Sequence, residues 1–98
     1  EVGSYTGNGS SQNIDCGFSN GSKFVLIKPN SSTGGWHTYD TVRSNGLVAG
    51  NDVSYDLDSS TAYTADAIDP LSSGFTVNST GNLTNSSGVT YIFYAIAA

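Results

Sequence analysis

Trp36-His37 and Tyr39-Asp40 gather an indole, an imidazole, a phenol and a carboxylate in one short stretch. A sugar ring has apolar C–H faces and a rim of hydroxyls. A flat aromatic covers such a face, and a neighbouring carboxylate or amide bonds the rim. Trp36, His37, Tyr39 and Asp40 are therefore the candidate ligand-binding residues. The plainer expectation for Trp36 and Tyr39 is packing, in the core or at a subunit contact. Asp40 and Arg43 stand three apart, a spacing that suits a charge-assisted pair tying a strand end to its turn.

Asp52, Asp56 and Asp58, with Asp66 and Asp69 beyond them, supply the oxygen ligands that Ca²⁺ prefers. Their spacing does not match an EF-hand loop, and no bidentate Glu follows, so a solvated acidic loop is expected. No cofactor is expected otherwise. His37 on a trimer axis would offer three imidazoles to a metal, but a lone His is more often a surface or hydrogen-bonded residue. Cys16 is the single cysteine. It has no intrachain disulfide partner and no ligand set around it, and reads as a small buried residue beside Gly17-Phe18. Asn8, Asn20, Asn30, Asn78, Asn82 and Asn85 each open an Asn-X-Ser/Thr sequon, a pattern that composition alone produces in so Asn- and Ser-rich a chain. One His, one Cys and a single Glu at position 1 leave no triad. Neither a nucleophile elbow nor a phosphate loop is present. The expectation is a protein that is not an enzyme.

The elements that must hold these residues are strands. Gly88-Val-Thr-Tyr-Ile-Phe-Tyr-Ala-Ile-Ala97 alternates Val89, Tyr91, Phe93, Ala95 and Ala97 against Thr90, Ile92, Tyr94 and Ile96. Both sets are largely apolar, which predicts a strand covered on both faces. Residues 4–6 form a short strand. Gly7-Asn-Gly-Ser10 turns it back into Gln12–Cys16, bringing Tyr5 and Ile14 together across a hairpin. Lys23-Phe-Val-Leu-Ile-Lys28 is a strong strand with a buried centre, ended by Pro29. Trp36–Val42 is a strand with Trp36, Thr38 and Asp40 on one side and His37, Tyr39 and Thr41 on the other. Its mixed faces suggest an edge or a partly exposed surface. Tyr55–Asp58 reads as a strand, 61–68 as a strand or one helical turn, and Gly74–Asn78 as a strand with Phe75 and Val77 inward. Residues 80–88 form a hairpin loop into the final strand. Short strands spaced by such turns point to a β-sandwich or barrel, and the architecture expected is an all-β, antiparallel β-sandwich, lectin-like or jelly-roll-like.

Ninety-eight residues make a single module, 1–98. Three Lys and Arg against eight Asp and Glu, a net charge of −5, exclude a basic patch. Nucleic acid and anionic membrane surfaces are disfavoured on that ground. No apolar run approaches the roughly 18 residues of a membrane span, so no insertion is expected. The chain starts directly in polar Gly/Ser sequence, and any leader would lie outside it. With apolar residues on both faces of its strands, so small a domain has surface left to cover, which predicts a homo-oligomer.

These pieces also follow a recognisable order: Tyr5-Thr-Gly-Asn-Gly9, Gln12, Ile14, Gly17-Phe18, Phe24-Val-Leu-Ile-Lys28, then Trp36, Tyr39-Asp40, Val42-Arg43, Leu47, Gly74-Phe75, and Gly88 leading to Tyr91 and Ala95. Over nearly the whole chain this order resembles a β-domain of tail-fibre and other virion-appendage proteins of marine bacteriophages. Departures are Ser19-Asn-Gly-Ser22 where that family places a Pro after Gly-Phe, Ser44-Asn45-Gly46 where it has Gly after the Arg, and Tyr94-Ala-Ile-Ala97 where its ending often carries Trp. The resemblance implies a β-sandwich unit, often trimeric, on an extended fibre beside other virion proteins and meeting a host-cell surface. The expected role is structural and adhesive, in the virion or outside the cell. The alternatives are a free-standing carbohydrate-binding, lectin-like domain and a repeat subunit of an extracellular filament.

Overall fold

In the computed structural model the described residues are 1–41, 52–57, 62–78 and 84–98. Among these residues nine strands run in chain order: β1 Val2–Thr6, β2 Gln12–Asp15, β3 Ser22–Pro29, β4 His37–Asp40, β5 Asp52–Asp56, β6 Ala62–Ala65, β7 Ile68–Leu71, β8 Gly74–Val77 and β9 Thr90–Ala97. Within β5 and β6 the one side chain described is that of Ser54. The expectations for Val42, Arg43, Leu47, Asp58 and Asn82 fall outside the described residues, as does the proposed Asp40–Arg43 pair.

The strands form two antiparallel sheets, one of six strands in the order β1-β9-β3-β4-β5-β6 and one of three in the order β2-β8-β7. The architecture is an all-β sandwich, as the strand pattern predicts. Its core lies between the sheets. Val25, Ile27, Tyr39, Tyr91, Phe93 and Ala95 come from the larger sheet, and Ile14, Ile68, Phe75 and Val77 from the smaller. Phe75 meets Phe93 edge-on at 5.2 Å between centroids, and Tyr5 stacks on Tyr91 at 5.3 Å. Such aromatic pairs add about 1 kcal/mol each beyond the area they bury.

Four details differ from the sequence reading. First, β1 and β2 are not a hairpin. β1 pairs β9 and β2 pairs β8, so Gly7–Ser11 carries the chain from one sheet to the other. Tyr5 and Ile14 still share the core, but from opposite sheets. Residues 84–88 likewise cross between sheets instead of closing a hairpin. Second, β4 is an internal strand flanked by β3 and β5, so its mixed faces reflect a partly exposed surface and not an edge. Third, Ile68–Leu71 is a strand in spite of Pro70. It lies at the rim of the smaller sheet, where a missing N–H costs no ladder bond. Fourth, β9 is covered on one face only. Tyr91, Phe93 and Ala95 are buried, while Ile92 and Tyr94 remain 37% and 45% exposed.

A polar knot holds the two crossings together. Asn85 is 1% exposed. Its Nδ2 donates to the Ser10 and Asn78 carbonyls at 2.7 and 3.0 Å. Its Oδ1 accepts from the Asn8 N–H at 3.1 Å and from Gln12 Nε2 at 2.9 Å. One side chain thus satisfies both crossings and the end of β8. Gly7 is required beside it, because a Cβ there would run into the Ser86 carbonyl. The Tyr5 hydroxyl donates to the Thr84 carbonyl at 2.6 Å, and the Ser86 N–H donates to the Tyr91 hydroxyl oxygen at 3.0 Å.

Candidate functional site

Alternation along β4 separates the four residues chosen from the sequence. His37 and Tyr39 point inward, 5% and 1% exposed. Trp36 and Asp40 belong to the opposite side, with Trp36 exposed and Asp40 half-buried. The four do not converge on one site. Trp36 instead joins residues of β1, β3 and β9.

The register shows how. Tyr94 lies between Val2 on β1 and Leu26 on β3, and Ile92 between Ser4 and Lys28. With their neighbours Tyr91 and Phe93 turned into the core, Ile92 and Tyr94 must face outward. Val2, Leu26, Ile92, Tyr94 and Trp36 line a shallow depression of about 130 Å³ on the outer face of the larger sheet. Val2 is 72% exposed. Lys28 sits over the indole with Nζ 5.7 Å from the ring centroid and donates to its neighbour's carbonyl, Pro29 O, at 3.0 Å. The cation–π contact adds about 0.5–1 kcal/mol at such an exposed place. It also fixes the indole against the sheet. This strip offers flat aromatic and branched apolar contact with one cation at its border. Its lining residues include no acid–base pair.

Sequence reasoning named Trp36 but missed Val2, Leu26, Lys28, Ile92 and Tyr94. The signal was the second apolar set of β9, which reads equally well as cover for a second layer. What alternation cannot tell is whether that layer belongs to the same chain.

His37 contributes elsewhere. With Ser32, Thr33, Ser86 and Tyr91 it lines a polar cleft of about 150 Å³ on the other side of β4. Of the acidic residues, Asp66 accepts a 2.8 Å bond from Asn78 Nδ2. The side chains of Asp52 and Asp56 lie outside the described residues. Among the described residues, no three His, Cys, Asp or Glu side chains come together as a metal-binding group. Cys16 is half-buried. Burial pushes its thiol up, helped by the negative charges of Glu1 and Asp15 and opposed by the terminal ammonium. Two sequon asparagines, Asn78 and Asn85, are buried in the knot, whereas Asn8, Asn20 and Asn30 are exposed.

Fold and surface together define a β-sandwich with an apolar outer strip on its larger sheet. The family model for the domain of unknown function DUF7483 matches residues 1–98, and the chain belongs to that family. No curated protein and no solved structure matches it.

Proposed function

We propose that this domain is a non-enzymatic structural and adhesive module of a phage tail fibre or other virion appendage, contributing to attachment at a host-cell surface. The observation that carries the docking role is the outer strip. Ile92 and Tyr94 on a central strand, with Val2 and Trp36 beside them, expose apolar area that a self-sufficient sandwich would turn inward or make polar. The resemblance in the order of Tyr5–Gly9, Phe24–Lys28, Trp36 and Gly74-Phe75 supplies the virion setting.

The second reading is a free-standing lectin-like domain. It is favoured by Trp36 and Tyr94, two exposed aromatic side chains bordering one depression. One experiment serves both. Fluorescently labelled protein is applied to intact marine bacterial cells and to an array of isolated oligosaccharides, beside Trp36→Ala and Tyr94→Ala. Binding to cells that both substitutions abolish supports the adhesive module. Binding to isolated oligosaccharides as a monomer favours the lectin. Failure to bind any cell or sugar would sink the adhesive reading.

A further inference from the structure

The free rim of the larger sheet is a surface distinct from the strip. β1 is the terminal strand of that sheet, with β9 as its one strand neighbour among the described residues. Glu1 and Ala95 exchange main-chain bonds of 2.8 Å in both directions, and the Gly7 N–H donates to the Val89 carbonyl at 2.8 Å. The register between these points is unbroken. Main-chain groups alternate sides along an antiparallel strand. Glu1, Gly3, Tyr5 and Gly7 therefore aim theirs at β9, and Val2, Ser4 and Thr6 aim theirs out of the sheet. Gln12 Nε2 donates to the Thr6 carbonyl at 2.9 Å and closes the rim at that end. Among the described residues no hydrogen bond reaches the outward main-chain groups of Val2 or Ser4.

Proteins guard such rims with charge, proline or bulges. The smaller sheet does so: its rim strand β7 carries Asp69 and Pro70, and β2 ends in Asp15. Val2-Gly-Ser-Tyr-Thr6 has no charge, no proline and no break in register.

We propose that β1 pairs with β1 of a second copy of this chain, antiparallel about a two-fold axis at Gly3, with Val2 opposite Ser4 of the copy. In this register each Val2 exchanges both bonds with the copy's Ser4, so all the outward main-chain groups of Val2 and Ser4 are used. A shift by one residue would set groups already bonded to β9 against the copy. A shift centred on Ser4 would need the Thr6 carbonyl, which Gln12 holds. Gly3 falls at the close, non-hydrogen-bonded position on the axis, where Cα atoms approach to about 4.5 Å. It brings no side chain there, and the Phe93 ring fills the space beneath it, 2.8 Å from where a Cβ would stand. On the outer face the row Tyr94, Val2, then the copy's Ser4 and Ile92 runs across the axis, so exposed Val2 gains neighbours. A contact of a strand with itself closes as a dimer, in contrast to the trimer that the resemblance implies. The pairing does not depend on what the outer strip binds.

Light scattering at micromolar concentration reads the mass of the intact chain, beside Ser4→Pro, which deletes one rim donor, and Trp36→Ala, which probes the strip. Each copy carries a charge of −5, so screening by added salt tightens the pair. The expected result is a dimer, stronger in salt and lost in Ser4→Pro. A monomer or trimer mass for the unaltered chain overturns the proposal. So does a dimer that survives in folded Ser4→Pro, or one lost in Trp36→Ala alone, which would move the contact to the strip. Should Ser4→Pro fail to fold, amide exchange on the unaltered chain decides. Protection of the Val2 and Ser4 amides that grows with concentration supports the pairing, and protection that does not change rejects it.

Discussion

Asn85 shows how much one polar side chain can fix. Its amide fills every bonding position available to it, towards Ser10, Asn78, Asn8 and Gln12. Removing it leaves buried donors and acceptors without partners, each costing about 1–3 kcal/mol. Asn85→Ala is expected to lower stability by roughly 3 kcal/mol or more, read from urea unfolding midpoints. Asn85→Asp keeps the acceptor but faces carboxylate oxygen against two carbonyls, so its loss should deepen as pH rises through the carboxylate range. Tyr5 carries the opposite lesson about charge. Burial, then the neighbouring Tyr91 and Tyr39, push its hydroxyl far above the usual range. The unfolded chain therefore gives up this proton first. Stability is whole below about pH 10 and falls as pH rises beyond it. Cys16 shifts in the same direction and adds to the decline from the thiol range upward. Urea midpoints measured across alkaline pH should fall, and Tyr5→Phe should flatten the fall above the tyrosine range.

At the scale of strands, much was legible. The apolar run in Lys23–Lys28, the alternation in Gly74–Asn78 and the two-faced apolar final stretch mark β3, β8 and β9, because inward residues there are large and apolar while the turns between them are Gly- and Asn-rich. Inward Phe75 and Val77, and the split of His37 and Tyr39 from Trp36, follow from the same period. What adjacent sequence could not convey was partnership. Gly7–Ser11 has the composition of a hairpin turn, yet its job is to change sheets, and the residue that makes it do so, Asn85, lies far along the chain. The candidate site was half legible for a similar reason. Trp36 stood out by type, but Val2, Leu26 and Tyr94 become its neighbours only through pairing across β1, β9 and β3. Adjacent positions on β9 should therefore respond unequally. Phe93→Ala is expected to cost about 3–5 kcal/mol, as for other buried aromatics. Ile92→Thr should change stability by less than about 1 kcal/mol, since its side chain already meets solvent. Thermal melts of the two variants measure this directly.

For the molecule as a whole, the six-stranded sheet has an apolar inner face shared with β2, β8 and β7 and an outer face only partly clothed. A purely self-contained sandwich would show polar residues at Ile92 and Tyr94. The exposed Ile92 and Tyr94 are what the proposed docking role rests on. The net charge of −5 sets a long-range repulsion between copies, which any self-association must overcome.

The last strand of the chain sits in the middle of the sheet, between the first and the third. β1 has no strand partner among the described residues, and β3 has only β4, until β9 is made, so the joining of β1 to the rest of that sheet must wait for β9. Bringing Tyr94 to Val2 closes a loop over nearly all of residues 1–98, an entropic step that precedes the β1–β9 ladder. Refolding is expected on the slow, millisecond-to-second side of the range for small domains, as stopped-flow fluorescence of Trp36 would record. A chain cut before Thr90 should show no cooperative melt, however much of the rest it retains.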